Sequence, residues 1–577
     1  MNQKLHSKAV LALLASIIIV SGCSNSDNND NAGNSGNTGT ATENASPEAS
    51  GSVDAENASP LGKYETPISL TVGRDVGAND KFPEGDSVAS NVWTRIYKEE
   101  LGIDVKVAWS ALTGEQYDQK MKLNIASGDL PDLMAVTTQQ LAQLVENDQI
   151  ADLTDVFNKY SSELNKKVYQ DDGGIALKSA TFNGKLMALP QQGSALDTSN
   201  VLWIRQDWLD KLGLQPPQTM EDVKKIAEAF TKQDPDGNGK ADTFGLGITK
   251  TMWNGSPSLE GFFNGYHSYP TIWVKDATGN LGYGAVQPQS KQALADLQAM
   301  YQAGWIDVEF GVKDANQVNQ DINANKIGMY YGKMYSPFTF MDTASKNPDI
   351  QWQSYPLPSV DSTPASTQQD FPVQYYYVVK KGYANPEALI KIFNLQLEVS
   401  YGSNADLIKR IQDQLYSHAD DQQITSTQVV SAPIVKGGLP TQNLNQYLNI
   451  NKAIADKDES VLSNEVEKTN YKYVLDYEQT KNPSSYGTWA VVGPKGPFKV
   501  LNDYLNNKQF VLTEFVGAAT PTMVTKKSTL DKLVLEEFTK IITGAKSADE
   551  FDKFVQNWNK LGGEQITKEV NEANASR

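Results

Sequence analysis

Hydrophobic and polar positions along the 577-residue chain change period repeatedly, and each change predicts an element. Residues 68–72 (ISLTV) alternate apolar with polar and stop at Gly73, Arg74 and Asp75, the pattern of a strand that delivers a loop. From 87 to 101, Val88, Val92 and Ile96 recur near helical spacing beside Trp93. Residues 105–109 (VKVAW) read as the next strand, 117–126 as a helix closing at Ser127 and Gly128, and 132–136 (DLMAV) as a third strand. Alternating strands and helices predict right-handed crossovers and a sheet with parallel pairs. Ligands of such sheets gather beyond the carboxyl ends of the strands, which singles out Arg74, Asp75, Thr137 and Thr138.

A second unit begins near Thr198. Residues 201–205 (VLWIR) predict a strand and 206–212 a short helix stopped by Gly213. Thr219 and Asp222 are spaced as a capping box, and Val223, Ile226, Ala227 and Phe230 then recur at i, i+3, i+4 and i+7. Residues 291–303 read as helix, 326–331 (KIGMYY) as a strand running into a glycine loop, and 373–380 (VQYYYVVK) as a strand before a helix begun by Pro386. The chain closes in an acidic helical stretch after Pro521 and carries no repeat of solenoid period. A chain this long exceeds one core, so two or more lobes are expected.

Composition removes several classes of function. One cysteine permits no intramolecular disulfide and no cysteine-based metal cluster, and three histidines are too few for a histidine-rich centre. A formal charge of −18, from 69 acidic against 51 basic residues, argues against electrostatic capture of nucleic acid. The N-terminus fixes the expected compartment. Lys4 and Lys8 precede an apolar run from Ala9 to Val20, too short to span a bilayer and patterned as a signal peptide over residues 1–22. Residues 24–62 carry six acidic residues, no basic ones and almost no large apolar side chains, the composition of a flexible tether.

The run ending in Val20, Ser21, Gly22 and Cys23 resembles the lipobox of bacterial lipoproteins, in which the cysteine is acylated and becomes the mature N-terminus. The folded body has its own resemblance. It is carried by GDLPDL (128–133), IRQDWLDKLG (204–213), DPDGNGKADTFG (234–245) and WNKLGGE (558–564). On these motifs the chain resembles an extracellular solute-binding protein of the ABC-importer type, in the larger lipoprotein branch linked to oligosaccharides. The resemblance implies an α/β, two-lobed, periplasmic-binding-protein-like fold with a ligand cleft between lobes. One lobe would hold 63–195 plus about 370–440, the other 196–369 plus about 441–577, behind a lipidated linker at 23–62.

One loop has metal-ligand spacing. Asp234, Asp236 and Asn238 stand at alternate positions 1, 3 and 5, Gly239 permits the sharp turn, Lys240 offers its carbonyl and Asp242 stands at position 9. The loop departs from an EF-hand at position 12, where Gly245 replaces the bidentate Glu. In the resembled family some members complete such a site with an acidic residue after the position-9 aspartate; here that residue is Thr243. A structural Ca2+ is predicted, the alternative being an Asx/Gly turn without an ion.

The chain is also rich in rings, with 10 Trp and 25 Tyr, and sugar sites pair stacked aromatics with polar hydrogen-bonders. Trp203, Trp208, Trp273 and Trp305 fall inside predicted elements and read as core. Trp253 and Trp489 sit in polar loops and are candidate ligand contacts, as are Tyr331 and Tyr335 at a strand end. In the strand containing Tyr375, alternation puts Tyr376 on the opposite face from Tyr375 and Tyr377, one face being core. Arg74 and Asp75 either clamp hydroxyls or pair with each other.

These features together predict a lipid-anchored extracellular monomer that captures an oligosaccharide by lobe closure and hands it to the transmembrane subunits of an ABC permease. No nucleophile–base pair is identifiable, and no catalysis is predicted. The rivals are a surface-tethered polysaccharide hydrolase or lyase, and a binding protein that reports to a membrane sensor.

Overall fold

The computed structural model describes residues 59–575 apart from Asn254, Ala419 and Asp420. The predicted signal peptide, Cys23 and nearly all of the tether lie outside the described residues.

In chain order the strands that matter for the site are β1 (Ile68–Val76), β2 (Ile103–Leu112), β3 (Leu133–Val136), β4 (Leu189–Gln192), β5 (Val201–Arg205), β6 (Phe244–Leu246), β7 (Ile327–Gly332), β8 (Trp352–Tyr355), β9 (Thr367–Gln369), β10 (Val373–Val379) and β11 (Phe510–Leu512). A five-stranded sheet has the order β2-β1-β3-β10-β4, with β1 parallel to β2 and β3 and β10 antiparallel to both its neighbours. The predicted strand–helix alternation thus yields parallel pairs. A four-stranded sheet has the order β8-β5-β7-β6, in which only β6 and β7 run parallel.

β1 is longer than its alternating pattern. It continues through Gly73, Arg74 and Asp75 to Val76, with a bulge after Val72 that pairs Gly73 with Trp109. A Cβ on Gly73 would lie 2.5 Å from the Trp109 ring, so the close approach of that indole requires glycine here. The bulge re-aims Arg74 and Asp75.

Buried apolar side chains form two clusters. The first draws on residues 64–189 and 373–435, the second on 196–365 and 444–570. The chain therefore crosses between cores three times, near 190–195, 366–372 and 436–443. The crossings are laced together by polar side chains. The Asn200 amide donates to Thr367 Oγ1 at 3.0 Å, Gln369 donates to Ser199 Oγ at 3.2 Å, and the Asn443 side chain donates to Asp197 at 2.7 Å. β9, within one crossing, pairs in parallel with β11. Burial, opposed by hydrogen bonds from Asn443 and Ser194, raises the Asp197 carboxyl to about 6.

The motifs conspicuous in the sequence build this scaffold. In GDLPDL, Gly128 ends a helix with φ 74°, and Asp132 accepts from the Thr71 amide at 2.8 Å and hydroxyl at 2.7 Å, stapling β3 to β1. In IRQDWLDKLG, the Arg205 fork grips Asp207 at 2.8 and 2.6 Å and lies 4.5 Å from the Trp208 ring centroid. Thr219 and Asp222 form the predicted capping box.

Candidate functional site

Two adjoining cavities lie at the carboxyl ends of β1 and β3. The first, about 190 Å³, is walled by Arg74 and Asp75 of β1, Ala135 of β3, Gln374, Tyr375 and Tyr377 of β10, and by Gln191 and Lys436 on two of the crossings. Gln374 also borders the second cavity, about 510 Å³, which spans the two cores. Its first-core side carries Asp118, Thr137, Thr138 and Gln140; its second-core side carries Trp273, Tyr283, Phe515 and Met523.

The first core supplies polar groups held by the backbone. Thr137 caps the helix Thr138–Glu146, its hydroxyl accepting from the Gln140 amide. Tyr117 donates its hydroxyl to the Ala135 carbonyl at 3.0 Å, and Tyr377 accepts from the Lys436 amide at 2.7 Å. Lys436 Nζ lies 3.8 Å from Asp75, and burial outweighs that carboxylate and lowers the ammonium's pKa. Burial first, then Asp118 and Asp75, raises the Tyr375 phenol. Tyr375 and Tyr377 face the cavity, while Tyr376 is buried on the other side against Ser179, as the alternation of the strand requires.

The second core supplies rings. Trp273 and Tyr283 lie 5.4 Å apart between centroids, and Phe515 flanks Trp273 at 6.4 Å. Behind them Trp558 stacks on Tyr283 at 5.8 Å with only 6° between planes. The WNKLGGE motif explains this support. Gly563 lies so close to Trp558 that a Cβ would be 2.0 Å from the indole. Trp273, read from sequence as core, is both core and wall: it is 7% exposed and still borders the cavity.

Arg74, Asp75, Thr137, Thr138 and Tyr375 all border these cavities. Arg74 does not pair with Asp75. Its side chain is 4% exposed and donates to the Ala432 carbonyl at 3.1 Å and to that of Ser431 at 2.8 Å, fixing the segment before the last crossing. The other aromatic candidates lie elsewhere. Tyr331 is fully buried in the second core, edge-on to Phe262 and with its hydroxyl toward Met220, so it is a packing residue. Trp253 packs against Phe263 and Phe538, because its polar loop folds down onto that core. Tyr335 is 40% exposed and borders neither cavity. Trp489 borders a separate hollow. Sequence reasoning missed Tyr283, Phe515, Gln191, Gln374 and Lys436. No local period signals them: strict alternation would put Gln374 on the Tyr376 face, but the pairing of β10 is irregular between Val373 and Tyr376 and Gln374 borders the cavity beside Tyr375.

The aspartate loop borders neither cavity. Among the described residues no group of three or more His, Cys, Asp or Glu side chains is placed to hold a metal. The loop is closed by its own hydrogen bonds. The Asn238 amide donates to Asp236 at 2.6 Å and Asp242 at 3.0 Å, and Asp234 accepts from the Gly239 amide at 3.0 Å. Burial first, then the carboxylates of Asp234 and Asp242, hold the Asp236 carboxyl above its ordinary range despite the Asn238 amide. Thr243 turns inward, donating to the Phe230 carbonyl at 2.7 Å, and supplies no ligand. Gly245 cannot be glutamate, since a Cβ there would lie 2.4 Å from Ala227 Cα. Lys211, from the IRQDWLDKLG motif, donates to the Pro235 carbonyl at 2.8 Å and ties the two motifs together.

Two α/β cores crossed three times by the chain, with a cavity walled from both, define a binding protein that holds a solute between lobes. The chain belongs to the bacterial extracellular solute-binding protein family, whose profile matches residues 79–397, more than half its length. It is 23% identical over 481 residues to lipoprotein LipO of Bacillus subtilis, covering 82% of this chain and 86% of that one. It is 26% identical over 246 residues to the fructooligosaccharide ABC transporter substrate-binding protein FusA of Streptococcus pneumoniae, covering 41% of this chain and 45% of that one. Its fold matches a human-milk-oligosaccharide-binding, ABC-transporter-associated solute-binding protein of Bifidobacterium longum infantis. That match has a TM-score of 0.58 at 16% identity over 89% of this chain and 99% of that one.

Proposed function

We propose that this protein is a lipid-anchored extracellular receptor that captures an oligosaccharide between its two cores and delivers it to the transmembrane subunits of an ABC permease. The observation that carries the reading is the cavity shared by Thr137, Thr138 and Gln374 on one side and by Trp273 and Tyr283 on the other. Rings take the apolar faces of sugars, and amides and hydroxyls take their polar rims. The cores act as the two lobes, and closure brings both sets of groups onto one ligand. A ligand that touches both lobes favours the closed state over the open one. The names of FusA and of the milk-oligosaccharide receptor support the same ligand class. Cys23 carries the lipid anchor, as the kinship with LipO supports. The receptor works as a monomer and performs no chemistry on its ligand.

Asp234, Asp236, Asn238, Lys240 through its carbonyl, and Asp242 hold a structural Ca2+ in this reading. The ion neutralises the gathered carboxylates and fixes the loop against the helix that carries Lys211.

The test is a thermal-shift screen of the full chain against neutral and acidic oligosaccharides. A binding sugar raises the melting temperature with its concentration, as linkage requires, and Trp273→Leu needs about tenfold more sugar for the same shift. A panel without any shift, or release of shortened products from a polysaccharide, overturns the reading. A chelator that leaves the melting curve unmoved overturns the calcium assignment.

A further inference from the structure

A third hollow, of about 270 Å³, lies wholly on the second core and shares no bordering residue with the interlobe cavities. Its walls come from the edge strand β8 and from the helices Glu465–Thr480 and Tyr486–Val492. Rings dominate it. Trp489 packs on Tyr477 at 4.6 Å and on Tyr486 at 5.8 Å, and Trp352 lies across from them; both indoles are only partly buried. Two exposed ammonium groups border the same space. Lys481 lies 4.9 Å from the Tyr477 ring and 5.9 Å from that of Trp489, and Lys495 stands on the loop after the second helix. Among the described residues neither lysine pairs with a carboxylate. The amides of Gln351 and Gln353 complete the rim.

Trp352 also packs inward, on Phe340 at 5.3 Å and Tyr330 at 5.2 Å. Each indole thus has one side on the core and part of its surface open to the hollow, where rim amides and two cations without a carboxylate partner among the described residues stand on an acidic protein. We infer that this hollow is a second carbohydrate site, separate from the interlobe cleft and selective for a sugar that bears a carboxylate. The indoles take the apolar ring face, the glutamine amides bond to hydroxyls, and Lys481 and Lys495 pair with the carboxylate in charge-assisted hydrogen bonds. The volume is close to the lower end for small-molecule sites, roughly 300 Å³, so the site suits one acidic residue of a chain.

The experiment compares methyl β-D-glucuronide with methyl β-D-glucoside, which differ only by the carboxylate, in tryptophan fluorescence and calorimetric titrations of the full chain. The expected result is saturable binding of the glucuronide, several-fold tighter than the glucoside. It should weaken about tenfold in the Lys481→Gln/Lys495→Gln double variant. Both lysines are exposed, so the double variant retains its melting temperature. Gln374→Ala, in the cleft, should leave glucuronide binding unchanged, which separates this site from the cleft whether or not the cleft reading stands. Absence of saturable binding, equal affinity for the two glycosides, or wild-type affinity in the double variant overturns the proposal.

Discussion

The two walls of the interlobe cavity are built on opposite principles. The first core presents polar side chains whose positions are set by the backbone: a helix cap at Thr137 and, in the adjoining cavity that shares Gln374, a bulge before Arg74 and Asp75 and the two-residue period of β10. The second core presents rings, held by other rings stacked behind them. Hydrogen-bonding groups select by geometry and contribute little until water is excluded, whereas rings contribute area without strict orientation. A solute held by one wall alone is bound weakly, and the combination works only when both approach.

Substitutions in the two walls should differ in kind, and the largest effect lies behind the ring wall. Trp558→Ala removes a buried indole from beneath Tyr283 and should destabilise the fold by about 3–5 kcal/mol, measured by chemical denaturation. Wild-type stability there would place the ring wall's support elsewhere. Asp197→Asn tests the lacing between walls. The folded carboxyl titrates near 6 and an unfolded aspartate near 3.9, so the folded state binds the extra proton between those values. That contribution is present below pH 4 and is lost as pH rises through 6. The variant should therefore gain about 3 kcal/mol relative to wild type at pH 7.5 and nothing at pH 3.5, by paired melting curves. A difference independent of pH would show that Asp197 is not the titrating group.

Trp273→Leu keeps an apolar filler and removes the stacking surface; affinity for any cleft ligand should drop about tenfold by calorimetry. Gln374→Ala, on the polar wall, should lose about 1 kcal/mol, near fivefold. If the glutamine costs more than the tryptophan, the contrast between the walls is reversed.

Most of the scaffold was legible because its signals are local. Residues 201–205, 206–212 and the Thr219 cap fold as their periods and caps dictate, since each is fixed within a few residues. The motifs that resemble the family stabilise the scaffold: Asp132 staples two strands, Arg205 grips Asp207, and Gly563 seats Trp558. They report the fold and are silent on the ligand. The cleft was half legible. Arg74, Asp75, Thr137, Thr138 and Tyr375 follow from strand ends and alternation. Trp273, by contrast, meets Phe515 across more than 240 residues, a contact that no local window contains. Tyr331 was misplaced for the same reason, since Phe262 and Met220 decide its burial from a distance.

The three crossings between the cores also set a timetable. The first core uses residues 64–189 and then nothing until 373, so the chain must extend to about Val435 before that core is whole. The second needs material out to Val570. Neither half is therefore complete until most of the polypeptide has been made, and both close late. The triple crossing also means that one proteolytic cut within a crossing leaves two others intact, so the halves stay joined after a nick outside the cell.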